Sequence, residues 1–314
     1  MVDCRVGADC ASGICLRDGT CQPETTDGGT GGGTTGGGQG GGSAQGGGGG
    51  SATGGGTGGG TSDGGVTDAG VPDSGVPVGC LPNRDGRIDR NEVFFQPGLR
   101  ATYRISGAAT FDTRGTDGGW DFTGALNGDA SRLVETRALA GQWFEADFPD
   151  AGYVTELGQG SDLLGVFSAT SDALYLQGVV SPADGATSTR IRYSPWVKVL
   201  QFPLRSGDSW QTDSTVSGRY NGLVIGIATP LQDELYQMNV DRMGTATTPF
   251  ASFDVLRVRT TMTRSFPFTV LPNIVIRSFS WNTECFGTVA AVTSTNNETS
   301  TDFTSAAEVR RLSP

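Results

Sequence analysis

Asp254-Val-Leu-Arg-Val-Arg-Thr-Thr-Met262 alternates with period two. Leu256, Val258, Thr260 and Met262 fall on one face of an extended strand, Arg257 and Arg259 on the other. The pattern predicts a strand over 254–264 with one core face and one solvent face. Working outward, the same signature recurs in short runs rich in Val, Ile, Thr, Tyr, Phe and Trp, bounded by Gly, Asp, Asn and Pro. These read as strands at 101–105, 132–139, 142–148, 173–180, 189–193, 234–242, 275–282 and 288–294. Only 162–167 and 305–312 carry the spacing of a helical turn or two. A dozen or more strands joined by hairpin-length loops predict an all-β domain over 94–314, either an antiparallel sandwich or a curved half-barrel. Trp120, Trp143, Trp196, Trp210 and Trp281 are spread along it, as core anchors are, rather than gathered into one platform.

The rest of the 314-residue chain has a different character. It contains 51 glycines, one lysine (Lys198) against 21 arginines, and no histidine. The absence of histidine excludes Ser-His-Asp and Cys-His nucleophile pairs, His-ligated zinc or haem, and imidazole pH switches. A formal net charge of -11 offers no basic stripe for nucleic acid and no polybasic site for a membrane surface. No apolar run is long enough for a transmembrane helix.

Of the 51 glycines, 27 lie between Gly28 and Gly79. Residues 26–79 are glycine with Thr, Ser, Gln and Asp, too polar to offset the entropy of ordering, and are expected to be a disordered linker. Before it, Cys4, Cys10, Cys15 and Cys21 crowd a segment with little apolar material. Residues 1–25 therefore read as a small disulfide-rich module, a knot that needs an oxidising compartment. Three connectivities are open, and the interlocked one (first to third, second to fourth) would fix so short a segment best. The start Met1–Cys10 has no basic segment leading into an apolar run, so an export signal is expected upstream of it.

Residues 80–93 follow the linker and resemble a calcium loop. With Gly86 at the sixth place, Asn83, Asp85, the Arg87 carbonyl, Asp89 and Glu92 would supply oxygens at places three, five, seven, nine and twelve. Leu81 stands at the first place, normally an Asp, and Arg84, Arg87 and Arg90 surround the ion position. The competing reading is an Asn-Arg-Asp-Gly turn leading into one helical turn. Calcium is the one cofactor suggested. Cys80 and Cys285 remain as a pair, and joining them would fasten this segment to the β domain.

A cysteine-rich start, a glycine linker, Pro82-Asn-Arg-Asp-Gly-Arg-Ile88 with Glu92 downstream, and a β domain together resemble uncharacterised cell-surface lipoproteins of high-GC Gram-negative bacteria. Phe202–Trp210, Phe253–Arg259 and Trp281–Val289 are similar to a pattern in periplasmic half-barrels of the lipoprotein-carrier type; Glu284-Cys285-Phe286 departs from it. The resemblance implies an extracellular or periplasmic location, a lipid-anchored association with the outer membrane and an envelope partner. Three functions follow. The first is a non-enzymatic binding or adaptor protein. The second is a carrier or sensor of an apolar ligand, in a hollow lined by Phe253, Leu256, Val258 and Trp281. The third is a histidine-free carboxylate hydrolase, for which Asp147 with Asp150 and Asp233 with Glu234 are the nearest acid pairs, of a kind usually found at solvated loop ends.

Overall fold

Period-two segments become sixteen strands in the computed structural model, which describes residues 80–158 and 161–314. They are β1 (Arg87–Ile88), β2 (Arg100–Thr110), β3 (Gly119–Asp121), β4 (Ala130–Glu135), β5 (Tyr153–Gly158), β6 (Ser161–Ala169), β7 (Ala173–Val180) and β8 (Arg190–Gln201). After these come β9 (Leu204–Arg205), β10 (Ser209–Tyr220), β11 (Leu223–Val224), β12 (Gln232–Thr247), β13 (Ser252–Ser265), β14 (Ile274–Thr283), β15 (Gly287–Ser294) and β16 (Ser305–Ser313). The knot cysteines Cys4, Cys10, Cys15 and Cys21 and the linker 26–79 lie outside the described residues.

One sheet runs β4-β2-β16-β15-β14-β13-β12-β10-β8-β7-β6-β5, antiparallel throughout, with β11 beside β10 and β3 parallel to β12; β1 and β9 form a separate ribbon. Its two edges nearly meet. Arg137, just past β4, exchanges backbone hydrogen bonds of 2.8 and 2.9 Å with Val154 of β5. Glu156 of β5 adds ion pairs to Arg132 (3.4 Å) and Arg137 (4.0 Å). The half-barrel expectation is met by a sheet close to full closure, which leaves little exposed strand edge.

Three segments differ from their sequence reading. Residues 142–148 form no strand: Glu145–Asp147 is one 3-10 turn, which places Phe144 and Phe148 in a core with Leu164, Val166 and Val180. Residues 162–167 and 305–312, with helical spacing, are strands of β6 and β16. In β16 the alternation is disguised by Arg311, which occupies an inward position and is fully buried.

The expected solvent face of β13 is also covered. Leu256 and Val258 pack on one face with Val240, Met238, Val216 and Tyr193. On the other, Arg257 is 1% exposed among Trp120, Val255, Phe279 and Trp281. The connection 111–129 covers this second face. Phe122 packs against Trp281 (ring centroids 4.9 Å), as does Trp120 (5.6 Å). Two arginines bind the connection down. Arg257 makes a two-pronged contact with Asp241 (2.8 and 2.7 Å) and donates to the Thr113 carbonyl (2.5 Å). Arg311 donates to Asp129 (2.9 and 2.5 Å) and to the carbonyls of Phe122 and Gly124 (both 2.9 Å). Gly244 of β12 admits this close approach, since a Cβ there would lie 1.9 Å from the Gly118 carbonyl oxygen.

Arg311→Leu would leave the Asp129 carboxylate and two carbonyls without their partner, at a cost of about 3–5 kcal/mol in urea denaturation. The Arg311 hydrogen bonds hold the Asp129 carboxyl below the usual carboxylate range. The stability they contribute is therefore present above the unfolded pKa and fades as pH falls through the folded one, so the wild-type advantage should shrink in acid. An unchanged unfolding free energy in the variant would show that the connection is held by other contacts.

Candidate functional site

The segment 80–93 is built into the β domain by covalent, backbone and apolar contacts. Cys80 is disulfide-bonded to Cys285, with a Cα–Cα distance of 5.5 Å across 205 residues of sequence. Closing so long a loop restricts the unfolded chain by an amount worth up to about 5 kcal/mol. Cys285 lies in the turn between β14 and β15, and its N–H donates to the Glu92 carbonyl at 2.6 Å. β1 pairs with β9, and Ile88 and Val93 enter the core on the Leu256 face. Arg84 has φ 56, which aims its N–H at both carboxylate oxygens of Glu284 (3.1 Å each).

The oxygens named for calcium are engaged with protein partners. Asn83 Oδ1 accepts from the Asp85 N–H (2.8 Å), and Asp85 Oδ1 from the Arg87 N–H (3.0 Å). Glu92 accepts from Asn83 Nδ2 (2.6 Å) through one oxygen and from the Asp89 N–H (2.8 Å) through the other. The Arg87 guanidinium bridges Asp85 (3.1 Å) and Asp89 (2.7 Å), opposite in charge to both. Burial raises the Glu92 carboxyl above the usual range; the Asp89 N–H opposes this, and the charge of Glu284 adds to it. Among the described residues, no three Asp, Glu, Cys or His side chains converge on a point that could hold a metal ion.

A cleft of about 420 Å³ opens beside the disulfide, where this segment meets β12, β13 and the 284–286 turn. Its walls combine Phe253 and Phe286 with Arg84, Ser252, Asp254 and Glu284. Phe286 is 43% exposed, and its ring stands edge-on to Phe253 at 5.1 Å. Phe250 stacks on Phe253 at 6.3 Å, which fixes the aromatic wall. A neighbouring hollow of about 280 Å³ shares Arg84, Asp254 and Glu284 and is floored by Ile88 and Leu256.

Of the acids considered for hydrolysis, Asp150 is exposed in a turn, as expected, whereas Asp147 and Glu234 are held by arginines. Asp147 is ion-paired with Arg190 (2.7 Å) and with Arg192. Glu234, 1% exposed, accepts from Arg264 Nε (2.7 Å) and from the Tyr236 hydroxyl (2.5 Å), with Tyr193 alongside. Sequence reasoning missed this cluster, although strand alternation separates Asp233 from Glu234 onto opposite faces and could have flagged it. The apolar-hollow residues are divided as well. Leu256 and Val258 belong to one core; Trp281 and Phe253 belong to the other.

No protein-family model matches the chain, and no curated protein matches it in sequence. Among solved structures, a lipoprotein candidate from Parabacteroides distasonis is similar over 70% of this chain and 96% of its own, at 12% identity and TM-score 0.31. An exported-protein candidate from Bacteroides fragilis with a YmcC-like fold is similar over 70% of this chain and 97% of its own, at 12% identity and TM-score 0.24.

Two measurements probe this chemistry. With Arg87 across the acids, millimolar calcium should leave the thermal midpoint of the wild type unchanged, and Arg87→Gln should make it rise with calcium. A rise in the wild type would place the ion in the native loop instead. At high pH, burial raises Tyr193 and Tyr236, and nearby Glu234 pushes both further up. The folded state thus favours the neutral phenols, and stability falls once pH passes the ordinary tyrosine value of the unfolded chain. In an ultraviolet alkaline titration these tyrosines should ionise only as the fold opens; ionisation with the near-ultraviolet dichroism intact would contradict their burial.

Proposed function

We propose that this is an exported, non-enzymatic binding protein of the cell envelope, whose β domain holds a hydroxyl-rich ligand of the glycan class in the cleft beside the Cys80–Cys285 bond. The observation that carries the reading is the pairing, in one cleft, of the exposed Phe286 ring and the partly buried Phe253 ring with the exposed Asp254 carboxylate, beside Glu284 held by the Arg84 N–H. Aromatic faces suit the apolar faces of sugar rings, and a few placed polar groups fix their hydroxyls. Export is supported by the disulfide, a bond that persists in oxidising compartments.

Carboxylate hydrolysis has less support. Asp147 and Glu234 are each committed to arginine, and Glu234 is closed off from solvent. An apolar carrier would need Leu256 and Trp281 to line one hollow, and they face apart.

Titration calorimetry of the full chain with a panel of soluble neutral oligosaccharides tests the reading. Saturable binding is expected, weakened about tenfold or more by Phe286→Ala at the cleft wall. Absence of heat across the panel, or equal binding by the variant, would overturn it.

A further inference from the structure

Two loops at one end of the sheet carry a separate feature. β12 begins at Gln232 opposite Val216 of β10, and its next residue, Asp233, pairs with Ser265 at the end of β13. The connections 221–231 and 266–273 therefore emerge side by side. Residues 221–232 and 265–276 are each twelve residues without an ionisable side chain. At their tips Phe268 is 98% exposed, Val270 101% and Ile227 86%, with Leu223 and Leu271 about half exposed. Side chains this exposed stand clear of the domain, so the surface is convex, a set of projecting tips rather than a groove.

The tips are held in place. Thr269 bonds the Phe266 carbonyl through its hydroxyl (2.8 Å) and its N–H (3.3 Å), and its Oγ1 accepts the Leu271 N–H (3.2 Å), between Pro267 and Pro272. In the neighbouring loop Ile225 is buried in the core, and the Gly226 N–H donates to the Thr229 carbonyl (2.8 Å), which turns Ile227 outward. Ordered apolar tips presented to water carry a hydration cost that the domain does nothing to relieve. Arg219 and Tyr220, both exposed, end β10 at the turn into β11, where Tyr220 pairs with Leu223.

We infer that these two loops dip into the surface of a phospholipid bilayer, with Phe268, Val270, Leu271 and Ile227 in the acyl boundary and Arg219 and Tyr220 at the headgroups. The charge pattern selects this partner: two adjoining stretches of twelve residues with no ionisable side chain, projecting Phe268, Val270 and Ile227, match the apolar layer of a bilayer, and the flanking Arg219 and Tyr220 suit its headgroups. Lacking a polybasic patch, attachment depends on apolar area and resists salt. The inference is independent of the proposed cleft, which lies at the opposite end of β13.

Flotation of the full chain with vesicles of phosphatidylethanolamine and phosphatidylglycerol tests it, alongside Phe268→Asp/Val270→Asp. Aspartate tolerates the left-handed backbone at 268 (φ 64), so the variant should keep its thermal midpoint. The wild type should float with the vesicles at low and high salt, and the variant's partition should fall at least about tenfold. A wild type that stays at the bottom, or a variant that floats equally well, would overturn the inference. So would sedimentation velocity showing that the substitutions abolish self-association while lipid binding persists; that result assigns the tips to a second copy of the chain.

Discussion

Two guanidinium groups buried on the same side of a β-sheet set the terms for the rest of this fold. Arg257 and Arg311 are 1% and 0% exposed, and a charge removed from water must be met by partners, of which the sheet itself offers only a part. Asp241, at a bulge in β12, meets part of the need; the carbonyls of Thr113, Phe122 and Gly124 and the carboxylate of Asp129 meet the remainder. All of the latter belong to the connection 111–129. A segment that would otherwise be a loose excursion between β2 and β4 thus becomes a second layer, and its aromatic residues can then enclose Trp281. The Arg257 guanidinium also lies 4.2 Å from the Phe279 ring centroid, so charge and aromatic packing reinforce each other.

The same division of labour appears at the two ends of the barrel. One end gathers the Cys80–Cys285 bond, the arginine-bridged acidic loop and the cleft with its aromatic wall. The other presents two charge-free loops. β13 joins them in a single strand of 14 residues, about 45 Å at the rise of an extended chain, so neither end is crowded by the other.

Much of this was readable in the sequence, and the exceptions share a cause. Alternation at 254–264 predicted its strand, and the leftover cysteines Cys80 and Cys285 predicted their bond. Gly86 foretold a turn, observed at φ 83, but the crossing of Arg87 over Asp85 and Asp89 depends on side-chain directions that spacing does not encode. Arg257 was read as solvent-facing and Glu234 as an acid of the solvated kind, because a hydrophobic pattern counts every charge as exposed; Arg311 in its turn hid a strand behind helical spacing. Each is buried by partners far away in sequence, such as Asp129 for Arg311. Residues 142–148 and 305–312 exchanged helix and strand for a related reason: Phe144 and Phe148 fit either period, and Arg311 interrupts the alternation of β16.

The position of Cys285 has a mechanical consequence. Tension on the chain preceding Cys80 would, without the bond, be borne by β1 and the short turn after it, which could peel away residue by residue. With the bond, the load enters at the hairpin between β14 and β15, two interior strands flanked by β13 and β16. Both strands of that hairpin are laddered on either side, so the load is shared by hydrogen bonds to β13 and β16 as well as within the hairpin. A domain fastened in this way takes up tension at its N-terminal side through interior strands instead of through the two-residue ribbon of β1.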